Sequence, residues 1–312
     1  METVACDLCG NDDAEIVFIE RDRLHHIDGI FRLVRCRRCG LMYINPRPTV
    51  EEIRRYYPRD YHAYKAYDHA SLIARLDYHY GIRKRCQAVI AHTGLQGGRI
   101  LDIGCATGGF LDAMRHWGDW ELYGVEIDAE AANYAKEYLG LNVFAGTLVD
   151  ANYPDNFFDV VTLWNVLEHL HQPQATLLEI SRIIRPRGWL IISLPNPDCI
   201  EAKIFGRYWA GLDAPRHLYI YSRHTLHQAL EKAGFTVKKI LSFTGRYHVL
   251  ALSLSFWVDD RISSERWRRW LKRVLYSLPL RLLTLPYYLL VDHWNQSSVM
   301  TVFAQYYRED SP

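Results

Sequence analysis

From Arg99 onward, short apolar runs alternate with segments whose apolar residues recur every three or four positions. "RILDIG", "WELYGVEI", "LNVFAG", "FFDVVTLWN" and "GWLIISLPN" read as strands, the first a buried one. "GGFLDAMRHWG", "DAEAANYAKEYLG" and "QATLLEISRII" have helical spacing, with Asp128 as a capping residue for the second. This β-α-β-α order predicts a parallel sheet with helices on both faces. A loop rich in Trp, Pro and His follows, then a helix over "SRHTLHQALEKAG" with Ser222 as N-cap and Gly234 just past its end. "FTVKKILSF" and "SVMTVFAQYY" are the last two strand-like runs, separated by a helical, apolar and basic insertion at 245–295.

Before Arg99 the pattern changes. Residues 1–48 form a Cys-rich module closed by "NPRP", and 49–97 combine helical spacing with many tyrosines ("RRYYPRDYHAYKAYDHA"). The expected division is therefore a ribbon at 1–48, a helical linker or lid at 49–97, and one α/β domain at 98–312. At 312 residues, about half of them apolar, the chain can bury a sizeable core. Lys and Arg exceed Asp and Glu by a single charge, which argues against a dedicated nucleic-acid binder. The N-terminus lacks a secretory pattern, and runs such as "YYLLV" fall far short of the ~20 apolar residues of a membrane span. Four of the seven cysteines lie in two C-x-x-C pairs, a pattern that suits metal binding in a reducing compartment. A cytoplasmic protein is expected.

The chemistry concentrates in "LDIGCATGGF". A strand, a glycine turn and a helix start make a small-ligand cradle. The dinucleotide fingerprint G-x-G-x-x-G is broken, because Ala106 stands at its second glycine. Asp102, two residues before Gly104, would repel a pyrophosphate but accept from an ammonium group. The next strand ends in "GVEID", where Glu126 can accept both ribose hydroxyls, each charge-assisted bond being worth roughly 1.5–3 kcal/mol. An ammonium on one side and a ribose on the other describe S-adenosylmethionine.

"ILDIGCATGGFL", "GVEID", "FFDVVTLWNVLEHL" and "LPNP" together resemble the successive motifs of class I S-adenosylmethionine-dependent methyltransferases, over roughly 95–245 and again at 298–306. The resemblance implies a Rossmann-like seven-stranded sheet with an antiparallel last strand. It places Asp102 and Gly104 at the methionine end of the cofactor, with Cys105, Ala106 and Gly108 completing the loop. Glu126 takes the ribose, Ile127 flanks the adenine, Thr147 and Leu148 edge the adenine pocket, and Asn165 sits beside the methionine moiety.

An oxygen or activated-carbon acceptor also needs a base, and histidine titrates near neutrality. His169 in "NVLEHL" and His217 in "DAPRHLYIYS" are the two candidates, each also readable as a packing residue. "CDLCG" and "CRRCG" place Cys6, Cys9, Cys36 and Cys39 as two knuckles around a structural Zn2+, four sulfurs leaving no open position. The ribbon resembles modules that precede small-molecule, including sugar-modifying, methyltransferases; zinc ribbons also precede some ribosomal-RNA enzymes. Its acids (Asp7, Asp12, Asp13, Glu15, Glu20) offset "RCRRCG" and favour a scaffold or lid role.

The expected acceptor is a small molecule: a sugar, a quinone or a lipid-linked glycan precursor. An rRNA or tRNA methyltransferase, a non-catalytic S-adenosylmethionine-binding scaffold and an NAD-dependent oxidoreductase stay open at this level. In the insertion, "RWRRWLKRVLYSLP" is an amphipathic helix with Trp beside Arg, and "LRLLTLPYYLLVDHW" adds two short helices broken at Pro286. Residues 266–294 suit a lid, a dimer contact or peripheral attachment at the inner face of a membrane.

Overall fold

The computed structural model describes residues 1–58, 72–243 and 246–307. The tyrosine-rich stretch expected in the linker lies largely outside the described residues. The chain begins with three antiparallel strands, β1 (Ala14–Glu20), β2 (Phe31–Cys36) and β3 (Met42–Ile44). A short helix α1 (Val50–Ile53) follows, held by a reciprocal capping box between Thr49 and Glu52. The long helix α2 (Leu72–Thr93) leads into the α/β domain.

There β4 (Gly97–Ile103), α3 (Gly109–Met114), β5 (Asp119–Glu126), α4 (Ala129–Glu137), β6 (Asn142–Ala145), β7 (Phe158–Trp164), α5 (Pro173–Ile183) and β8 (Ile184–Pro195) follow the expected alternation. Next come α6 (Ile200–Phe205), β9 (Tyr219–Ile220), α7 (Arg223–Lys232) and β10 (Phe235–Leu241). The insertion comprises α8 (Arg246–Arg261), α9 (Glu265–Leu275), α10 (Leu278–Leu283) and α11 (Leu285–His293), before β11 (Val299–Tyr306) closes the sheet.

The main sheet has seven strands in the order β10-β11-β8-β7-β4-β5-β6. β11 runs antiparallel to both β8 and β10, while β8, β7, β4, β5 and β6 are parallel. This is the Rossmann-like arrangement that the methyltransferase resemblance implies. Ile100, Leu101, Val160, Val161, Leu163, Leu190, Ile191 and Leu194 are fully buried, as continuous apolar strands covered on both faces must be. The caps behave as the sequence predicts: Asp128 accepts from Ala131 N at 2.8 Å, and Ser222 accepts from Thr225 N at 3.2 Å. Gly234, at φ +82°, ends α7.

Two local expectations change. The helix expected over 108–118 stops at Met114, because Arg115, His116 and Trp117 bond three residues back rather than four. The aromatic patch "LYIY" supplies β9, which pairs with β3 and completes a second, four-stranded sheet. Ribbon and α/β domain are thus joined by backbone pairing across about 175 residues of sequence, from Tyr43 to Tyr219.

Candidate active site

The crevice lies outside the carboxyl ends of the parallel strands, where β4 and β7 diverge to opposite sides in chain order, the usual ligand position in open α/β sheets. β4 delivers Asp102, whose carboxylate accepts from Thr162 Oγ1 of neighbouring β7 at 2.6 Å. Burial pushes the Asp102 carboxyl up to about 7, against the Thr162 hydrogen bond and the positive charge of Arg85. A carboxylate so placed gains most from an arriving ammonium, which restores the charge that burial opposes.

The loop turns at Gly104, φ +69°, where an added Cβ would lie 2.6 Å from Val166. Ala106 is left-handed at φ +49°, and its N–H donates to Glu126 at 2.8 Å. The other Glu126 oxygen accepts from Asp128 N at 2.9 Å. Two amides thus fix Glu126 at the end of β5 with lone pairs left for a diol. Burial raises its carboxyl, and those amides oppose the rise. Gly108 caps α3 in the left-handed region at φ +82°. These features fit the ammonium and ribose ends of S-adenosylmethionine.

The remaining residues expected on the cofactor side divide by exposure. Ile127 is exposed beside the loop, and Asn165 is exposed and left-handed at φ +59° just beyond β7. Cys105 and Leu148 are buried; the Cys105 sulfur packs under the loop against Gly124, leaving its backbone to shape the turn. Thr147 donates its hydroxyl to Asp150 at 2.6 Å, stapling the turn after β6.

The two candidate histidines are brought together from distant segments. His169 sits in the 3-10 turn Leu167–His169 after β7, and His217 in the segment between α6 and β9. Their rings meet edge to face, centroids 4.7 Å apart. His217 Nδ1 lies 2.8 Å from the Gly211 carbonyl. A carbonyl only accepts, so Nδ1 carries the proton and Nε2 the lone pair. His169 Nδ1 lies 3.0 Å from the Arg216 carbonyl and 2.8 Å from the Tyr57 hydroxyl. Burial, then the charge of His217, pushes His169 down to about 3; burial also lowers His217, with Asp213 opposing. Beside them the buried Glu168 carboxyl meets no hydrogen-bond partner among the described residues, and burial pushes it up to about 8. Glu168, His169 and His217 bring one donor atom each within 4.8 Å of one another. Two neutral imidazoles and a carboxyl that holds its proton near neutrality make a cluster able to pass protons.

Arg216 anchors this side. Its guanidinium binds Asp213 at 2.6 and 2.9 Å and Asp22, from the ribbon, at 2.8 and 3.0 Å. Arg216 and Asp22 are wholly buried. Burial works against ionisation of both acids, but the guanidinium outweighs it and holds them below their usual range.

A family model described as a methyltransferase domain matches residues 78–240, more than half of the chain. The chain belongs to this methyltransferase family. It is a class I S-adenosylmethionine-dependent enzyme, as the motifs imply. A ubiquinone biosynthesis O-methyltransferase of Burkholderia thailandensis is 28% identical over 181 residues, 54% of this chain and 76% of that protein. An uncharacterized methyltransferase of Schizosaccharomyces pombe is 26% identical over 196 residues, 57% of this chain and 68% of that protein. Among solved structures, a SAM-dependent methyltransferase from Archaeoglobus fulgidus aligns at TM-score 0.47 and 18% identity, over 75% of this chain and all of that one.

In the methyltransferase's ribbon the two knuckles share one geometry. Gly10 N and Gly40 N bond back to Cys6 O and Cys36 O at 2.7 and 2.9 Å, and both glycines are left-handed. Cys6 and Cys39 sulfurs are 3.5 Å apart, as are Cys9 and Cys36, and all four lie within 4.8 Å. A zinc tetrahedron with Zn–S bonds of about 2.3 Å has edges of about 3.8 Å, so the set fits Zn2+. Sequence reasoning missed Thr162, Arg85, Tyr57, Asp22, Asp213 and Arg216. Asp213 and Arg216 stood in the "DAPRHLYIYS" segment, but no local pattern marked their long-range partner.

Proposed function

We propose that the methyltransferase transfers a methyl group to a hydroxyl oxygen of a small-molecule acceptor, such as a sugar, a quinone or a lipid-linked glycan precursor. The observation that carries this reading is the paired histidines, His217 with an Nε2 lone pair and its Nδ1 fixed on Gly211. Oxygen acceptors need such a base, and the curated relatives named above include an O-methyltransferase. S-adenosylmethionine, when bound, supplies a methyl already made electrophilic by its sulfonium. Asp102 receives its ammonium, Glu126 its ribose, and the backbone of Gly104–Gly108 its approach, with Ile127 and Thr147 at the adenine edge and Asn165 near the methionine. His217 takes the acceptor's hydroxyl proton at Nε2 as the O–CH3 bond forms and the C–S pair stays on sulfur. His169, held by Tyr57 and Arg216, and the protonated Glu168 position His217 and the acceptor. Zn2+ on Cys6, Cys9, Cys36 and Cys39 is structural, and cysteines used as metal ligands rather than in disulfides suit a reducing, cytoplasmic compartment.

Incubation of metabolite extracts with the enzyme and isotopically labelled S-adenosylmethionine, followed by identification of labelled products, tests the reading. An O-methylated small molecule whose formation His217→Ala suppresses, with binding of S-adenosylhomocysteine retained, is the expected result. Label entering only RNA, or turnover unchanged in His217→Ala, would overturn it.

A further inference from the structure

The insertion has an inner and an outer half. α8 packs through buried Ala251, Phe256 and Val258, and Ser253 Oγ accepts from Ala210 N at 2.9 Å in the turn next to Gly211. α11 is anchored by buried Tyr288 and Val291, with the Tyr288 hydroxyl 3.4 Å from Glu201 of α6. α9 and α10 contain no buried residue among those described. Trp267, Trp270, Leu282, Leu283, Leu290 and Trp294 are each more than half exposed. A lid closed over the acceptor would turn these side chains inward; here they face away from the protein.

Charge indicates what covers them. Residues 266–291 contain six Lys or Arg and no Asp or Glu (Arg266, Arg268, Arg269, Lys272, Arg273, Arg281). Asp259, Glu265 and Asp77 from outside that stretch meet Lys272, Arg269 and Arg281. On α9 the apolar stripe Trp267–Trp270–Leu271–Val274 occupies one side and the basic residues the rest. A two-fold contact through this face would set cations against cations. Apolar side chains bearing tryptophan and flanked by cations match the boundary between acyl chains and anionic headgroups.

We infer that α9–α11 form a peripheral docking face for an anionic lipid bilayer. No single described helix is long and apolar enough to cross a membrane; Glu265–Leu275 and Leu278–His293 together have the length and composition of a span but are bent by 53° at their junction, and the cations spread around α9 favour surface attachment over insertion. Because α8 ties this face to the turn that orients His217, docking places the acceptor side beside the lipid surface. Resting on the methyl-acceptor reading, this narrows the acceptor to a lipid-linked or membrane-dissolved molecule.

Co-sedimentation of the full-length protein with vesicles of phosphatidylcholine, alone or mixed equally with phosphatidylglycerol, is the test. Mixed vesicles should bind at least about tenfold more tightly, and added salt should weaken binding. Trp267→Glu combined with Leu282→Glu should lower affinity about tenfold or more while S-adenosylhomocysteine binding stays unchanged. If that variant misfolds, Arg269→Glu with Arg273→Glu should reproduce the loss. Failure of the wild type to sediment with mixed vesicles at low salt would overturn the proposal. So would variants that bind like wild type, or a dimer in solution that the same substitutions dissolve without any vesicle binding. Vesicle binding with no labelled product from any acceptor would leave docking standing and remove only the acceptor reading.

Discussion

In the half proposed to hold the cofactor, Asp102, Gly104, Ala106, Gly108, Glu126, Thr147 and Asn165 come from one stretch of chain and sit at or just beyond the ends of four neighbouring strands. The proposed acceptor half draws on Tyr57 from the segment after the ribbon, Asp22 from the ribbon, Glu168 and His169 after β7, and Asp213, Arg216 and His217 from the loop before β9. One half is repetitive and local, the other a junction of distant segments. The strand-end half can hold its ligand as soon as the sheet forms. The junction depends on a buried ion network and on a ribbon with little core of its own, so it should fail first and separately.

Metal removal gives the largest break in that comparison. Zinc held by the four cysteines, as proposed, would supply on the order of 10 kcal/mol to a module this small. Cys36→Ser should therefore lose zinc by elemental analysis and expose 1–48 to proteolysis. Calorimetric affinity for S-adenosylhomocysteine should change by only a few fold; its abolition would show the two halves to be one unit. Arg216→Met comes next. It leaves Asp22 and Asp213 buried without their counter-charge, which costs about 3–5 kcal/mol in denaturant unfolding. Glu126→Ala attacks the other half: it removes the acceptor of two loop amides and of the ribose, and should weaken cofactor binding about 100-fold with little change in unfolding midpoint.

The pH effects are smaller. Asp102 must be ionised to hold an ammonium, so cofactor affinity should rise with pH and level off near about 7, and Asp102→Asn should flatten that rise. Glu168 acts on stability. Its folded-state value, about 8, lies above the ordinary 4.5, so its contribution is present below 4.5 and lost as pH rises through about 8. Glu168→Gln should unfold with a shallower decline in Tm over that window; an identical decline would mean the carboxyl is not buried as described.

Reading the chain alone recovers most of the cofactor half. Strands buried on both faces are written as apolar runs, and the caps at Asp128 and Ser222 are local hydrogen bonds. The acids at strand ends follow from where the runs stop. His169 and His217 were also visible as residue types, but not their 4.7 Å contact or their depressed basicity, since both depend on burial that no local pattern encodes.

The sequence by itself determined the alternating sheet, the glycine turn with its two carboxylates, and the paired C-x-x-C knuckles. These rest on interactions within a few residues or on the periodicity of one element. Only the tertiary structure decided that β9 would extend the ribbon's sheet, that Arg216 would bind Asp22, and that α9 and α10 would face outward. Edge pairing and buried charge compensation join groups far apart in the chain, and their free energy exists only once the partner surface has folded.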